Sequence, residues 1–190
     1  MTLGPTLVHV AASNYASVTF DELLAIEDAS DIKHELVSGQ TFAMAGGTGR
    51  HSMCIGTMFA ALLPSVRAGH CRAFQGDMLL RTTDAAYYPD VMVSCVEPTD
   101  ERYEIAPCFV AEVLSPSTQS VDRREKLSAY KAIPTVRVYL LVDHENEEVV
   151  VHERAGQRWA VRTLRAGDML DLRCPKTVLD IGDLFVGLPD

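Results

Sequence analysis

Cys108-Phe109-Val110-Ala111-Glu112-Val113-Leu114 is an apolar run of strand length that carries one carboxylate. Ser115-Pro116-Ser117-Thr118 turns the chain out of it, and a helix over about Ser120 to Ala132 stops before Pro134. A second apolar strand, Val136 to Val142, comes next. Before the quoted run, Arg72 to Gln75, Asp77 to Arg81 and Tyr88 to Val93 alternate with period two and read as strands. Further upstream the period is helical. Thr19-Phe20-Asp21-Glu22 is a capping box opening a helix through Leu23, Leu24 and Ile26. Ile55, Met58, Phe59, Leu62 and Val66 share one face of a second helix, which Pro64 should kink or shorten. Between them, Ile32 to Val37 continues the N-terminal helical segment, and Ser38-Gly39-Gln40 turns into a strand over Thr41 to Met44. After Val142 the signals are a turn at His144-Glu145-Asn146, a strand over Glu148 to His152, and short strands to the end. Helices first, then a mixed sheet interrupted by one helix, make an α/β (α+β) fold.

The chain has 190 residues, 47% of them hydrophobic and 23% charged, with net charge −9. That suits one compact domain over 19–190 behind a polar, aperiodic arm over 1–18, and it excludes global disorder. No run approaches the ~18 apolar residues of a membrane span. No basic residue precedes Lys33, so the charged start of a secretory signal is missing and a cytoplasmic location is expected. The five cysteines have no C-x-x-C pair, which argues against a disulfide framework and against a zinc ribbon. Buried or half-buried thiols are the expectation.

Two acids stand out because core residues flank them. Asp90 sits between Tyr87-Tyr88-Pro89 and Val91-Met92-Val93, and Glu112 sits in the run quoted above. A carboxylate among apolar neighbours is costly unless it is paired or binds a cation. One such acid would simply face water from an alternating strand. Two in neighbouring strands, brought side by side by a hairpin, point to a metal or general-base site. On the helix that follows, Asp122, Lys126 and Tyr130 lie at i, i+4 and i+8 and share a face. By itself this is a surface pair worth a few tenths of a kcal/mol. Its position argues for more, because the helix N-terminus should point back at the Glu112 strand end, and such a terminus favours phosphate.

Other signals are weaker. Gly46-Gly47-Thr48-Gly49-Arg50-His51-Ser52 lacks the Gly-Lys-Ser/Thr ending of a phosphate-binding loop. No G-x-S-x-G elbow surrounds Ser115 or Ser117. His9, His34, His144 and His152 have no metal-ligand spacing.

Together these motifs resemble the Uma-two-like restriction endonuclease family of the PD-(D/E)XK nuclease superfamily. The likeness rests on Tyr88-Pro89-Asp90-Val91, Glu112 to Thr118, Asp122-Arg123-Arg124-Glu125-Lys126, Tyr130 and Ile133-Pro134. It extends through His34 to Gly39, Ala43 to Gly47, His51, Cys71 to Phe74, Asp77-Met78 and Tyr139 to Val142, over about residues 19 to 186. The resemblance implies a restriction-endonuclease-like core with a central mixed sheet flanked by helices. Asp90 would be the motif aspartate and Glu112 the motif acid. In the superfamily the lysine lies two residues after that acid, where this chain has Leu114, so Lys126 becomes the candidate. Glu35 matches an extra site glutamate, and His51, Asp77 and Asp122 match positions of lesser standing. Val138 and Leu140 depart from the family around Tyr139 without removing a proposed ligand.

The oxygens of Asp90, Glu112 and the Val113 carbonyl suit Mg²⁺ or Mn²⁺. Lys126 would orient the attacking water or neutralise developing charge, Glu35 would hold the ion or its water, and Tyr130 is a supporting candidate. The implied reaction is hydrolysis of DNA, by a homodimer if both strands are to be cut. A net-negative chain repels nucleic acid on average. Here, however, residues 115–140 carry five basic side chains against two acidic ones, beside the acidic stretch that holds both proposed ligands. DNA binding should therefore be local and dependent on metal and salt. Two alternatives stay open: a nuclease-like DNA-binding module without cleavage, and a protein-interaction or regulatory module.

Overall fold

The computed structural model describes residues 17–44, 46–114 and 122–188, with only the backbone for Asp122 to Arg124. Most of the expected N-terminal arm lies outside these residues. Within them, Val18 N–H donates to the Gly39 carbonyl at 2.9 Å.

The centre is a six-stranded sheet. Its members are β3 (Arg72–Phe74), β6 (Val91–Ser94), β8 (Phe109–Val113), β9 (Val138–Asp143), β10 (Glu148–Ala155) and β11 (Arg158–Arg165). Their spatial order is β11-β10-β9-β8-β6-β3, and only β8 and β9 run parallel. A parallel neighbour needs a crossover, which α3 (Asp122–Ala132) supplies. Both faces of β8 are covered, so all five of its residues are buried and the run reads as apolar sequence interrupted only by Glu112. The period of two survives in the packing. Phe109, Ala111 and Val113 face the long helix α2 (Gly49–Ala68) through Cys54, Met58 and Leu62. Val110 and Leu114 pack with Met92, Tyr130 and Ile133 on the α3 side.

A second sheet contains β1 (His34–Val37), β2 (Gln40–Ala43), β4 (Leu79–Arg81), β5 (Ala85–Tyr87) and β7 (Tyr103–Glu104), in the order β2-β1-β5-β4-β7. The helix α1 (Phe20–Ala29) buries Leu23 and Leu24 against it, and its capping box is formed as read, with Thr19 as N-cap and Glu22 reaching back. A hairpin of β12 (Met169–Arg173) and β13 (Lys176–Asp180) closes the α2 side with Leu170, Leu172 and Leu179.

Three readings need correction. Residues 34–37 form a strand, not the end of a helix. Ser38 (φ 49°) and Gly39 (φ 78°) make the left-handed turn that folds β1 back on β2. Pro64 does not shorten α2, which runs on to Ala68. Pro64 and Ala60 are both exposed, so the carbonyl that loses its helical partner can turn to water. Finally, the cysteines are not separate thiols. Cys71–Cys95 and Cys108–Cys174 are disulfide-bonded, and only Cys54 is free and buried. Separations of 24 and 66 residues leave no local motif to read, because β3–β6 register makes the first pair and the packing of the β12–β13 hairpin makes the second.

The core also holds an acid-sensitive group. His152 on β10 is buried and stacks on the Tyr139 ring at 5.8 Å. Burial, and then the Lys131 charge, push its pKa from 6.5 down to about 4. Between those pH values the unfolded chain takes up a proton that the folded one refuses. The contribution of His152 is therefore complete above pH 6.5 and is lost as pH drops toward 4, by up to about 3 kcal/mol. Urea unfolding of the native chain and His152→Phe at pH 7 and pH 4.5 tests this. The variant should lose markedly less stability over that interval, and equal losses would assign the acid sensitivity elsewhere.

Candidate active site

The two sheets meet where β6 begins and β8 ends. Register does the first part of the work. Val91 pairs with Ala111 in antiparallel β6 and β8, so the next residues along, Asp90 and Glu112, face each other across the strands. Pro89 cannot donate to a ladder, which suits a strand that starts only at Val91. The Val113 N–H then donates to Asp90 Oδ2 at 2.7 Å, fixing the aspartate against the end of β8.

α3 lies over the same point. Tyr130 donates its hydroxyl to Glu112 Oε1 at 2.7 Å, and Lys126 Nζ, one turn earlier, is 3.5 Å from that oxygen. Lys126 Nζ also sits 2.9 Å from Glu35 Oε1, which accepts the Tyr88 N–H at 3.2 Å. Glu35 thus comes from the second sheet to a site built mainly on the first. The Lys126 side chain is only 8% exposed and Glu112 only 11%, so this is an interior cluster and not a solvated surface pair.

His51, in the first turn of α2, completes the cluster from the other side. Its Nε2 lies 2.9 Å from the Val113 carbonyl, which can only accept, so Nε2 carries the proton. The same nitrogen is 3.6 Å from Asp90 Oδ2. The neighbouring Asp90 carboxylate is the main reason the His51 pKa is raised, against the opposing effect of burial. The helix starts here because Thr48 caps it, accepting from His51 N–H at 3.2 Å. Gly47 leaves room for the ring, since a Cβ there would come within 2.5 Å of His51 Nδ1.

Burial pushes the Glu112 carboxyl well above the usual range; Lys126 pulls it back, while the charges of Asp90 and Glu35 raise it further. Glu35 and Glu112 flank the Lys126 ammonium while Asp90 stands on the His51 side, and these carboxylate oxygens are hard donors. The residues present therefore fit a divalent cation of the Mg²⁺ or Mn²⁺ kind.

The structure brings Asp90, Glu112, Val113, Lys126, Glu35, His51 and Tyr130 together. It does not bring in Asp77, which is 87% exposed and ion-paired with Lys33 at the rim. The Asp122 side chain and Ser115 to Thr118 lie outside the described residues.

Two supporting residues escaped sequence reading. Glu27 of α1 accepts the Tyr88 hydroxyl at 2.6 Å and the His34 N–H at 2.9 Å, tying the helix to the segment leading into Asp90. His144 is buried edge-on to His51 at 6.0 Å, with neither ring nitrogen hydrogen-bonded among the described residues. No local pattern marks either, because both act across the fold.

Comparison with known proteins agrees with this architecture. The chain is 30% identical to "Uncharacterized protein slr1290" of Synechocystis sp. over 96% of its own length and 98% of the relative's. It is 29% identical to "Uncharacterized protein sll1609" of the same organism, over 82% and 91%. A crystal structure of "a putative nuclease belonging to DUF820" from Anabaena variabilis shares the fold, with TM-score 0.75 at 20% identity, covering 90% of this chain and 99% of that one. A family described as "Putative restriction endonuclease" matches residues 20–179, and the chain belongs to that family, Uma2.

Proposed function

We propose that this protein is a divalent-cation-dependent DNA endonuclease of the PD-(D/E)XK type, with its lysine supplied by a helix and not by the strand of the motif acid. The observation that carries this reading is the double reach of Lys126, 2.9 Å from Glu35 and 3.5 Å from Glu112, beside the facing Asp90–Glu112 pair. Asp90, Glu112 and the Val113 carbonyl would hold Mg²⁺ or Mn²⁺. Such an ion supplies Lewis-acid stabilisation of phosphodiester charge and a more acidic water.

The chain's own residues do the rest. Lys126 is held by two carboxylates and cannot swing away, so its charge is preorganised toward the scissile phosphate. Tyr130 fixes the Glu112 carboxylate, and Glu35 anchors the lysine and would hold the ion or its water. His51 donates its Nε2 proton to the Val113 carbonyl and stands 3.6 Å from Asp90 Oδ2, so it ties the end of β8 to the aspartate. We assign double-strand cleavage to a homodimer, because one such site cuts one strand. Among the described residues no helix is long and apolar enough to cross a membrane.

A supercoiled-plasmid nicking assay with Mg²⁺, with Mn²⁺ and with EDTA tests the reading. Nicking should require the ion and stop with EDTA. DNA retention without cleavage under either ion would instead make the fold a binding module, and loss of both would favour a protein-interaction role.

A further inference from the structure

At the end of the central sheet opposite Asp90, four cysteines converge. Cys71 immediately precedes β3, Cys95 follows β6, and Cys108 immediately precedes β8. The antiparallel registers Arg72↔Ser94 and Val93↔Phe109 bring those three strand ends side by side. Cys174 comes from the turn between β12 and β13, and the Cys108–Cys174 bond joins that hairpin to the sheet. The two disulfides also touch. Cys95 Sγ lies 3.4 Å from Cys174 Sγ and 3.8 Å from Cys108 Sγ, and these three sulfurs are all within 4.8 Å of one another.

We propose that in the reduced protein Cys71, Cys95, Cys108 and Cys174 form a tetrathiolate site for Zn²⁺, which takes over from the disulfides in holding the β12–β13 hairpin to the sheet. Sulfurs around a tetrahedral zinc with bonds of ~2.3 Å stand ~3.8 Å apart, and the two contacts between the disulfides, 3.8 Å and 3.4 Å, lie at and just below that spacing. Three ligands ride on hydrogen-bonded strand ends, so the sheet presets their positions. A set made only of sulfur selects a soft or borderline ion and discriminates against the Mg²⁺ of the carboxylate cluster. Cys95 is exposed while Cys108 is buried, which gives the ion an entry side and a shielded one.

The chemistry balances with a phosphine reductant. Each disulfide takes two electrons from the phosphine and two protons from one water and yields two thiols, and the oxygen of that water goes to the phosphine oxide. The four thiols then release four protons as they bind one Zn²⁺.

The test uses the full chain, reduced with a phosphine and desalted, with Zn²⁺ or Co²⁺ alone as probe. Reduced protein should retain one equivalent of zinc, and the oxidised protein none at this place. Cobalt should give thiolate-to-metal charge transfer and tetrahedral d–d bands, lost in Cys95→Ser with Cys174→Ser and kept in Asp90→Ala. Zinc should also remove Cys71, Cys95, Cys108 and Cys174 from native-state thiol titration, with a chelator restoring them, a readout that needs no variant. Folded, reduced protein that retains no zinc, or cobalt bound without thiolate charge transfer, would overturn the proposal. So would four thiols that titrate equally with and without zinc.

Discussion

Replacing Asp90 with alanine is expected to lower ion-dependent plasmid nicking by at least about 10³-fold. A cation that loses one of two carboxylate ligands loses position as well as affinity, and about 4 kcal/mol of transition-state stabilisation corresponds to that factor. Alanine also strips the Val113 N–H of its acceptor, which costs about 1–3 kcal/mol of stability through an unsatisfied donor. Asp90→Asn separates the two effects, because its amide oxygen can accept the same N–H while its charge is gone. Both variants should be inactive, with the asparagine form the more stable. Ion-dependent cleavage surviving in Asp90→Asn would remove Asp90 from the site.

The second large effect is on stability. Lys126→Met leaves Glu35 and Glu112 facing one another in the interior without the cation between them. Removing one partner from a buried charge cluster costs about 3–5 kcal/mol, which for a chain of this size is a fall in Tm of roughly 6–20 °C. Nicking should be lost too. The distinctive readout is the response to metal. Mg²⁺ should raise the Tm of Lys126→Met more than that of the native chain, because a dication replaces the missing neutralisation. A variant melting within about 2 °C of the native chain would mean that the lysine is not held between the acids.

The parts of the site legible in sequence are those whose geometry is local or period-bound. Asp90 and Glu112 stood out as acids in apolar strands, and antiparallel register does the rest. Lys126 and Tyr130 are four residues apart on one helix, and both reach Glu112. Glu35 was singled out, but on the wrong element. His34–Val37 spans four residues, too few for a period of 2 to be told from 3.6, and pairing with β2 and β5 decides the matter. His51 looked ordinary because its role comes from the distant Val113 carbonyl, 62 residues away. The cysteines give no sequence signal for the same reason: strand order and the docking of the β12–β13 hairpin assemble them, and neither is a spacing.

That the ammonium rides on α3 has a consequence for how this site tolerates change. Strand residues can be re-aimed only two at a time, and a slip of one sends every side chain to the opposite face. The two acids are thus frozen into the architecture. A helix face instead repeats every three or four residues, so a basic side chain could migrate by one turn, a step of ~5–6 Å, without disturbing any ladder. Half of the charge arrangement is rigid and half is adjustable. An endonuclease built this way can drift in its cationic half while its anionic half stays put.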